Sequence, residues 1–504
     1  MKRAIALALA LGLTLSAAAC GSPAGGDASS GTEAVLSHQQ LVARETIGSA
    51  RIPYQSDDTL NPYTCQTLQN YYIAGLLYDT LVALDENYQP QNRLAQEVSL
   101  QDGTRVEIHL RGNAVFSDGS VVTAADVAAS LELARNTLRF SPGLQGIQSV
   151  EIPTDATVII TLASPDVFFL RSLCFPIFKA GTQDQPQPVG GGRYLLDSSD
   201  GLTLTANSRY HTPAENVKTI ELVASSSLED QSYSLLAGEI DLMYSDLQGD
   251  LNLGLGVGYR QVSMNNLVYL GVNSGRWGMD QELRSVLSSL INRDDILRKA
   301  YLGFGSASAS LLNPAYASVS LDSAQLDIHL DKINARLDEL GYAARDDMGY
   351  RTAGGRRLSL SLLVNRDNAS REAAAQLIAS SCALAGIEVT VVRAEWAAYT
   401  AAIASGEYDL YIGEVKIPYN MDISGLLSPN ETFGAGIPSD PEVDEAYARA
   451  KAGEITAEEL DRLLREKLPV IPLLYRRGIL CFARDFSVNM VATEQDIFYN
   501  IVDW

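Results

Sequence analysis

The sequence predicts a mixed α/β (α+β) fold, and two kinds of segment carry the prediction. Val106 to Leu110, Thr157 to Leu162, Leu202 to Ala206, Leu358 to Val364 and Ile387 to Val392 are β-branched or alternate apolar with polar residues, and they end near Gly, Asn, Asp or Pro, as strands do. Other segments have helical spacing. Thr123 stands as an N-cap with Asp126 at the third helical position, and Val127, Leu131 and Ala134 follow on one face. Leu283 to Ile291 and Arg371 to Ala385 read the same way; Gly386 stops the latter, and a strand follows. Strands mixed with helices, without a tandem repeat, give the class. The length of 504 residues suggests two to three domains.

The N-terminus has a separate logic. Met1-Lys2-Arg3 is basic, Ala4 to Ser16 is apolar and uncharged, and Ala17-Ala18-Ala19 places small residues before Cys20. A basic start, an apolar run and a small-residue cut make a secretory signal over residues 1–19. The run is short of the roughly 20 apolar residues that span a bilayer. The cysteine at the cut resembles a bacterial lipoprotein box, whose thiol takes a diacylglycerol, although Ala17 stands where Leu is commonest. Gly21 to Thr32 is mostly Gly, Ser and Ala with a single Asp, the composition of a tether. Residues 20–43 are therefore expected to be lipid anchor and flexible tether. The mature chain would be extracytoplasmic, held to the cell membrane through lipid on Cys20 and otherwise soluble.

Net charge is −23, and removing Lys2 and Arg3 with the signal takes it to −25. An acidic chain argues against nucleic acid as a partner and against adsorption to anionic lipid. Apart from Cys20, the cysteines are Cys65, Cys174, Cys382 and Cys481. An even number permits two disulfides in three pairings, or four buried thiols, and the spacings are too wide for a C-x-x-C site.

A series of phrases then runs in one order: Leu77-Tyr78-Asp79-Thr80-Leu81-Val82, Asp85 to Pro90, Leu94-Ala95, Leu110-Arg111, Val115-Phe116-Ser117-Asp118-Gly119 and Val122 to Val127. Gly190-Gly191-Gly192-Arg193-Tyr194, Leu236 to Asp241, Leu283-Arg284 through Arg293, Leu337 to Tyr342, Gly406 to Leu410 and Pro469 to Leu473 continue it. Together they resemble the bacterial family 5 extracytoplasmic solute-binding proteins of ATP-driven dipeptide, oligopeptide and nickel importers. The resemblance implies a type II periplasmic-binding-protein-like fold, with two lobes, a hinge and the extra subdomain of the peptide-binding family. Residues 44–78, 190–270 and 471–504 would form the core of lobe 1, 79–189 its extra subdomain and 271–470 lobe 2. It further implies a monomer that captures a peptide-like solute between the lobes and delivers it to ABC-transporter permease subunits, without cofactor. Most of the phrases have structural meaning: Ser117 to Ser120 is a turn, Thr123 a cap, and Arg284 and Arg293 are expected in structural ion pairs rather than on a ligand.

In peptide-binding members an aspartate after the "Y-D-L" strand pairs with the peptide amine. Here that loop runs from Tyr411 to Asp422, with Gly413-Glu414 and Lys416 where the family has Trp and then Asp. Glu414 is the first candidate for the anion and Asp422 the second; Lys416 would weaken an ammonium site or neutralise Glu414. Tyr419 offers a ring and a hydroxyl. Arg366 stands near the place of a carboxylate-holding arginine, with Asp367 beside it as an alternative partner. Tyr54, Trp277 and Trp396 are aromatic candidates for the cleft or for core, and Asn273 a backbone clamp where the chain crosses to the second lobe.

Competing chemistry has less support. The sequence contains no G-x-S-x-G, H-E-x-x-H or P-loop, and His38, His109, His211 and His329 are far apart, so neither catalytic residues nor an enzyme are expected. No clustered metal ligands are visible. The alternatives kept open are a nickel, metal-chelate or other small-solute binder, and a ligand-sensing lipoprotein without a transport role.

Overall fold

Strands form at each of the five β-patterned segments: Arg105–Leu110, Thr157–Leu162, Thr203–Ala206, Ser359–Asn365 and Glu388–Ala394. Helices follow their caps. Ala124–Arg135 begins after Thr123, whose backbone N–H and hydroxyl both donate to the Asp126 carboxylate at 2.7 Å. Gln281–Leu290 begins after Asp280 and Ala369–Leu384 after Asn368, each side chain accepting a first-turn amide. Gly386 turns the chain at φ 80°, where an L side chain is disfavoured, and there a Cβ would press on the Arg345 guanidinium.

The computed structural model describes residues 47–504 except 198, 213–215, 249–256, 317–327, 428, 430–435, 484–485 and 487–488. The signal segment, Cys20 and the tether lie outside the described residues. Residues 42–504 form one compact unit. Among the described residues no helix is long and apolar enough to cross a membrane.

Three larger sheets organise the chain. The largest has the strand order Leu242–Ser245, Ile471–Phe482, Gly258–Val272, Leu410–Lys416, Ser359–Asn365 and Glu388–Ala394, with Gly305–Ala307 also on Ile471–Phe482. Helices 281–290 and 369–384 pack on it, burying Leu283, Leu287, Ile378 and Cys382 against Leu270, Leu362 and Ile412. Each such aliphatic side chain contributes about 1.5–3 kcal/mol by leaving water. A second sheet joins Ser49–Tyr54 in parallel to Thr219–Ala224, then Thr203–Ala206 and Tyr194–Leu196. A third, antiparallel sheet of Ala95–Gln101, Arg105–Leu110, Thr157–Leu162 and Ile147–Thr154 lies within residues 79–189. Strands 258–272 and 471–482 are long and pair antiparallel along their length. The expected lobe boundary after residue 270 falls inside the first of them, and that after residue 470 at the start of the second.

Arg284 and Arg293 are structural, but their partners differ from the expected carboxylates. Arg284 donates to the carbonyls of Met279, Lys467 and Leu468, the last two at the end of helix Ala457–Lys467. Arg293 donates to the carbonyls of Ser288, Ser308 and Pro472. A helix end leaves carbonyls without intrahelical partners, and a guanidinium can satisfy several at once. Cys65, Cys174, Cys382 and Cys481 are all buried free thiols, so of the two readings the structure has the unpaired one.

The Gly-Gly-Gly turn is a close approach of two backbones. Gly192 N–H donates to the Leu77 carbonyl at 2.9 Å, and a Cβ there would sit 2.3 Å from the Leu76 carbonyl oxygen. Gly192→Ala should cost about 1–3 kcal/mol by overpacking, read as a lower urea midpoint at unchanged slope. An unchanged midpoint would show that the two segments separate freely.

Candidate functional site

The site starts from a fault in the pairing of the two long strands. Ser263 pairs with Arg477 and Leu267 with Tyr475, so three residues, Met264, Asn265 and Asn266, stand against Arg476 alone. Such a bulge bends a strand and redirects its side chains. Asn265 is fully buried and anchors the bend: its N–H donates to Glu494 at 2.9 Å and its Nδ2 to the Ile417 carbonyl at 2.8 Å. Met264 and Asn266, on either side, line a cavity of about 470 Å³. That volume lies within the roughly 300–1,000 Å³ range of small-molecule pockets.

The other walls come from distant stretches. Helix Leu68–Leu77 supplies Leu68, Tyr71 and Tyr72; residues 138–143 supply Leu138, Arg139, Phe140, Pro142 and Gly143; Ser172 and Cys174 follow. Tyr244 and Asp246 come from the end of strand Leu242–Ser245 and the residue just beyond it, Lys416 to Tyr419 from the end of strand Leu410–Lys416, and Glu494 from the C-terminal segment. Burial pushes the Tyr71, Tyr72, Tyr244 and Tyr419 hydroxyls up and keeps them neutral, and that of Tyr72 donates to the Glu494 carbonyl at 3.2 Å. Charges of both signs are present. The Arg139 guanidinium lies 4.1 Å over the Tyr71 ring. Asp246 accepts the Gln248 amide on one oxygen at 3.1 Å. Lys416 Nζ lies 2.8 Å from Glu494 Oε1, an ionic contact rather than a directed hydrogen bond.

Of the residues singled out from the sequence, Tyr419 is in the cavity wall, and the Tyr88 ring packs against it with centroids 5.9 Å apart. Glu414 is one layer behind. Its oxygens face Arg476 at 2.8 Å and Arg371 at 2.7 Å, and Asn266 Nδ2 donates to it at 3.0 Å. Lys416 therefore pairs with Glu494 and not with Glu414. Asp422 accepts the Ser424 amide and the Tyr447 hydroxyl, both at 2.9 Å. Arg366 is more than half exposed and pairs with Glu395 at 2.7 Å and Asp367 at 3.7 Å. Asn273 clamps backbone, donating to the Gly406 and Tyr408 carbonyls at 3.0 and 3.1 Å. Trp277 lies under the Arg356 guanidinium and Trp396 stacks on Tyr399, both partly exposed; Tyr54 ends the strand Ser49–Tyr54. Asp422, Arg366, Asn273, Trp277, Trp396 and Tyr54 are not among the cavity-lining residues. Arg139, Asp246, Asn266 and Glu494 are, and none of them belongs to a phrase or motif that marks it in the sequence. Among the described residues no group of three or more His, Cys, Asp or Glu is placed to hold a metal ion.

A mixed-sheet fold with a partly open cavity, lined by tyrosines and by charges of both signs, suits a receptor for a small solute. The family described as "Bacterial extracellular solute-binding proteins, family 5 Middle" matches residues 89–433. The chain belongs to this family. It is 28% identical to Protein XP55 of Streptomyces lividans over 422 residues, 78% of this chain and 72% of that protein. It is 23% identical to the periplasmic murein peptide-binding protein MppA of Escherichia coli over 499 residues, 88% and 90% of the two chains. Among solved structures it is similar to a nickel ABC transporter protein from Bacillus halodurans, with a TM-score of 0.73 over 90% of this chain and 98% of that one, at 22% identity. That last likeness shows the type II binding-protein fold.

The Glu414 cluster makes a pH prediction. Burial raises the Glu414 pKa, but Arg476 and Arg371 lower it further, and the result lies below the usual 4.5. The folded state thus holds this proton less tightly than the unfolded state. The cluster's stabilisation is complete above pH 4.5 and is lost as pH falls through the folded value. Glu414→Gln should cost about 3–5 kcal/mol at pH 7, because two buried guanidinium groups lose their counter-ion. The deficit should shrink on acidification, read from urea unfolding across pH. A deficit that stays constant down to pH 3 would show that Glu414 does not titrate with folding.

Proposed function

We propose that this protein captures a peptide-like solute in the cavity beside the bulge and presents it to the permease subunits of an ABC importer. It binds the solute and does not transform it. The carrying observation is the wall itself: four tyrosines with Arg139, Lys416, Asp246 and Glu494 around about 470 Å³. Tyrosines give large contact area at little entropic cost and tolerate varied side chains. Asp246 suits a solute amine and Arg139 a carboxylate, whereas Glu494 is already paired with Lys416. Glu414 acts indirectly, by orienting Asn266. The name of the murein peptide-binding relative supports the reading. Residues 271–470 would move as one lobe against the rest, with strands 258–272 and 471–482 as the crossing, and enclosure would strengthen each polar contact inside.

A thermal-shift and calorimetric screen with trialanine, free amino acids, sugars and nickel–histidine tests the ligand class. Peptides should raise the unfolding temperature. Asp246→Asn should weaken trialanine by about tenfold, as the loss of a charged hydrogen bond does. A shift with nickel–histidine and none with any peptide would favour the metal-chelate reading, which the nickel-transporter likeness motivates.

We further propose that lipid on Cys20 holds the chain at the membrane surface, supported by the sequence around Cys20 and the Gly/Ser segment after it. Cys20→Ala should move the protein from the detergent-rich to the aqueous phase in a phase-partition assay. An unchanged distribution in cells would reject the anchor.

A further inference from the structure

Asp166 divides its bonds between two parts of the chain. Its N–H donates to the Gly103 carbonyl at 2.8 Å, and its Oδ1 accepts the Phe168 amide at 3.0 Å, just before the short helical turn Phe169–Ser172. These bonds stay within residues 79–189. The other carboxylate oxygen is held from residues 271–470. Asn420 Nδ2 donates to Asp166 Oδ2 at 3.2 Å, and Lys451 Nζ lies 3.2 Å from the same atom. The next residue, Val167, donates its N–H to the Lys451 carbonyl at 2.8 Å. Lys451 is in the last turn of helix Pro441–Ala452, where carbonyls lack intrahelical partners. The Val167 side chain packs beside Gly453, where a Cβ would come 2.9 Å from Val167 Cγ1.

The place of this contact sets it apart. The pairs Glu414–Arg476 and Lys416–Glu494 also join residues 271–470 to the rest, but they lie beside the two long strands. Asp166 and Lys451 are on neither strand. Their contact also sits next to the cavity: Ser172 ends the turn after Asp166, Tyr419 precedes Asn420, and both line the wall.

The contact can reverse. A buried ion pair gains little more by attraction than it costs in lost hydration. Asp166 is 5% exposed and would regain water on separation. Lys451 has a second anion on its own side. Burial raises the Asp422 pKa, but bonds from Ser424 and Tyr447 and then the Lys451 charge bring it below its usual value.

We propose that Asp166, Val167, Asn420 and Lys451 form a latch that holds residues 271–470 against residues 79–189 around a bound solute and so sets how long the solute stays. This rests on the lobe movement proposed above and not on the class of solute. A contact made only in the closed form slows release without touching the solute, and it leaves entry unchanged.

Two variants of the full chain break the latch. Asp166→Asn keeps an acceptor for the Phe168 amide and puts a donor where Asn420 and Lys451 point. Lys451→Met removes the charge and keeps the length. Dyes on Ile152→Cys and Leu384→Cys, exposed positions on the two sides of the latch, report lobe separation by energy transfer. The solute is trialanine, or nickel–histidine where trialanine does not bind. Both variants should reopen and release it about tenfold faster than the parent, at an unchanged association rate. The double variant should be no faster than the faster single one, since both break the same contact. Reopening and release at the parent rates overturn the latch and leave lobe movement standing. So do accelerations that multiply in the double variant. Energy transfer that does not respond to solute in the parent overturns lobe movement and latch together. Binding of nickel–histidine alone overturns the peptide reading, and the same rates then decide the latch.

Discussion

The pairing of the two long strands sets the position of everything around the cavity. Three residues against one cannot continue a ladder, so the strand must bend where Met264 to Asn266 stand opposite Arg476. The bend stays in place because Asn265 is bonded to the C-terminal segment and to the chain leaving the neighbouring strand. It turns Asn266 toward the cavity on one side and Glu414 on the other. Arg476, the lone residue opposite, donates to Glu414 and also to the Asp246 carbonyl. One irregularity thus fixes a cavity wall and the charged layer behind it.

That layer separates two kinds of charge. Glu414, Arg371 and Arg476 are largely buried and pair with one another, although Arg371 Nε is left without a partner, so they hold elements together and offer little to a solute. Asp246, Arg139 and the Lys416–Glu494 contact stand at the cavity surface. Glu414 and Lys416 lie two residues apart on strand Leu410–Lys416, one held by the buried arginines and the other by Glu494 in the cavity wall, and only their partners distinguish them.

This explains which features could be read from the sequence. Capping at Thr123, the stop at Gly386 and the β-patterned runs depend on residues a few positions apart, and local chemistry decides them. The ordered phrases led to the family because they mark scaffold features, such as the backbone approach at Gly192. The cavity is different. Glu414 looked available in the sequence because its neutralising arginines lie 43 and 62 residues away. Asp246, Arg139 and Glu494 come from separate stretches with no periodicity or spacing that links them. Lys416 was legible as a neutralising charge, but its partner is Glu494, which only the folded chain brings near.

The four free thiols carry a consequence for how the fold can be watched. Each is at most 5% exposed, and burial pushes Cys65 up to about 11 and Cys174, Cys382 and Cys481 up to about 12. Thiolate chemistry is suppressed wherever the native packing holds. Alkylation at each site therefore reports how often that part of the chain opens. Cys382 samples helix 369–384, Cys481 the long strand 471–482, Cys65 the approach to helix 68–77, and Cys174 the cavity wall. Four natural cysteines thus serve as four local clocks, and an occupied cavity would slow the one set in its wall.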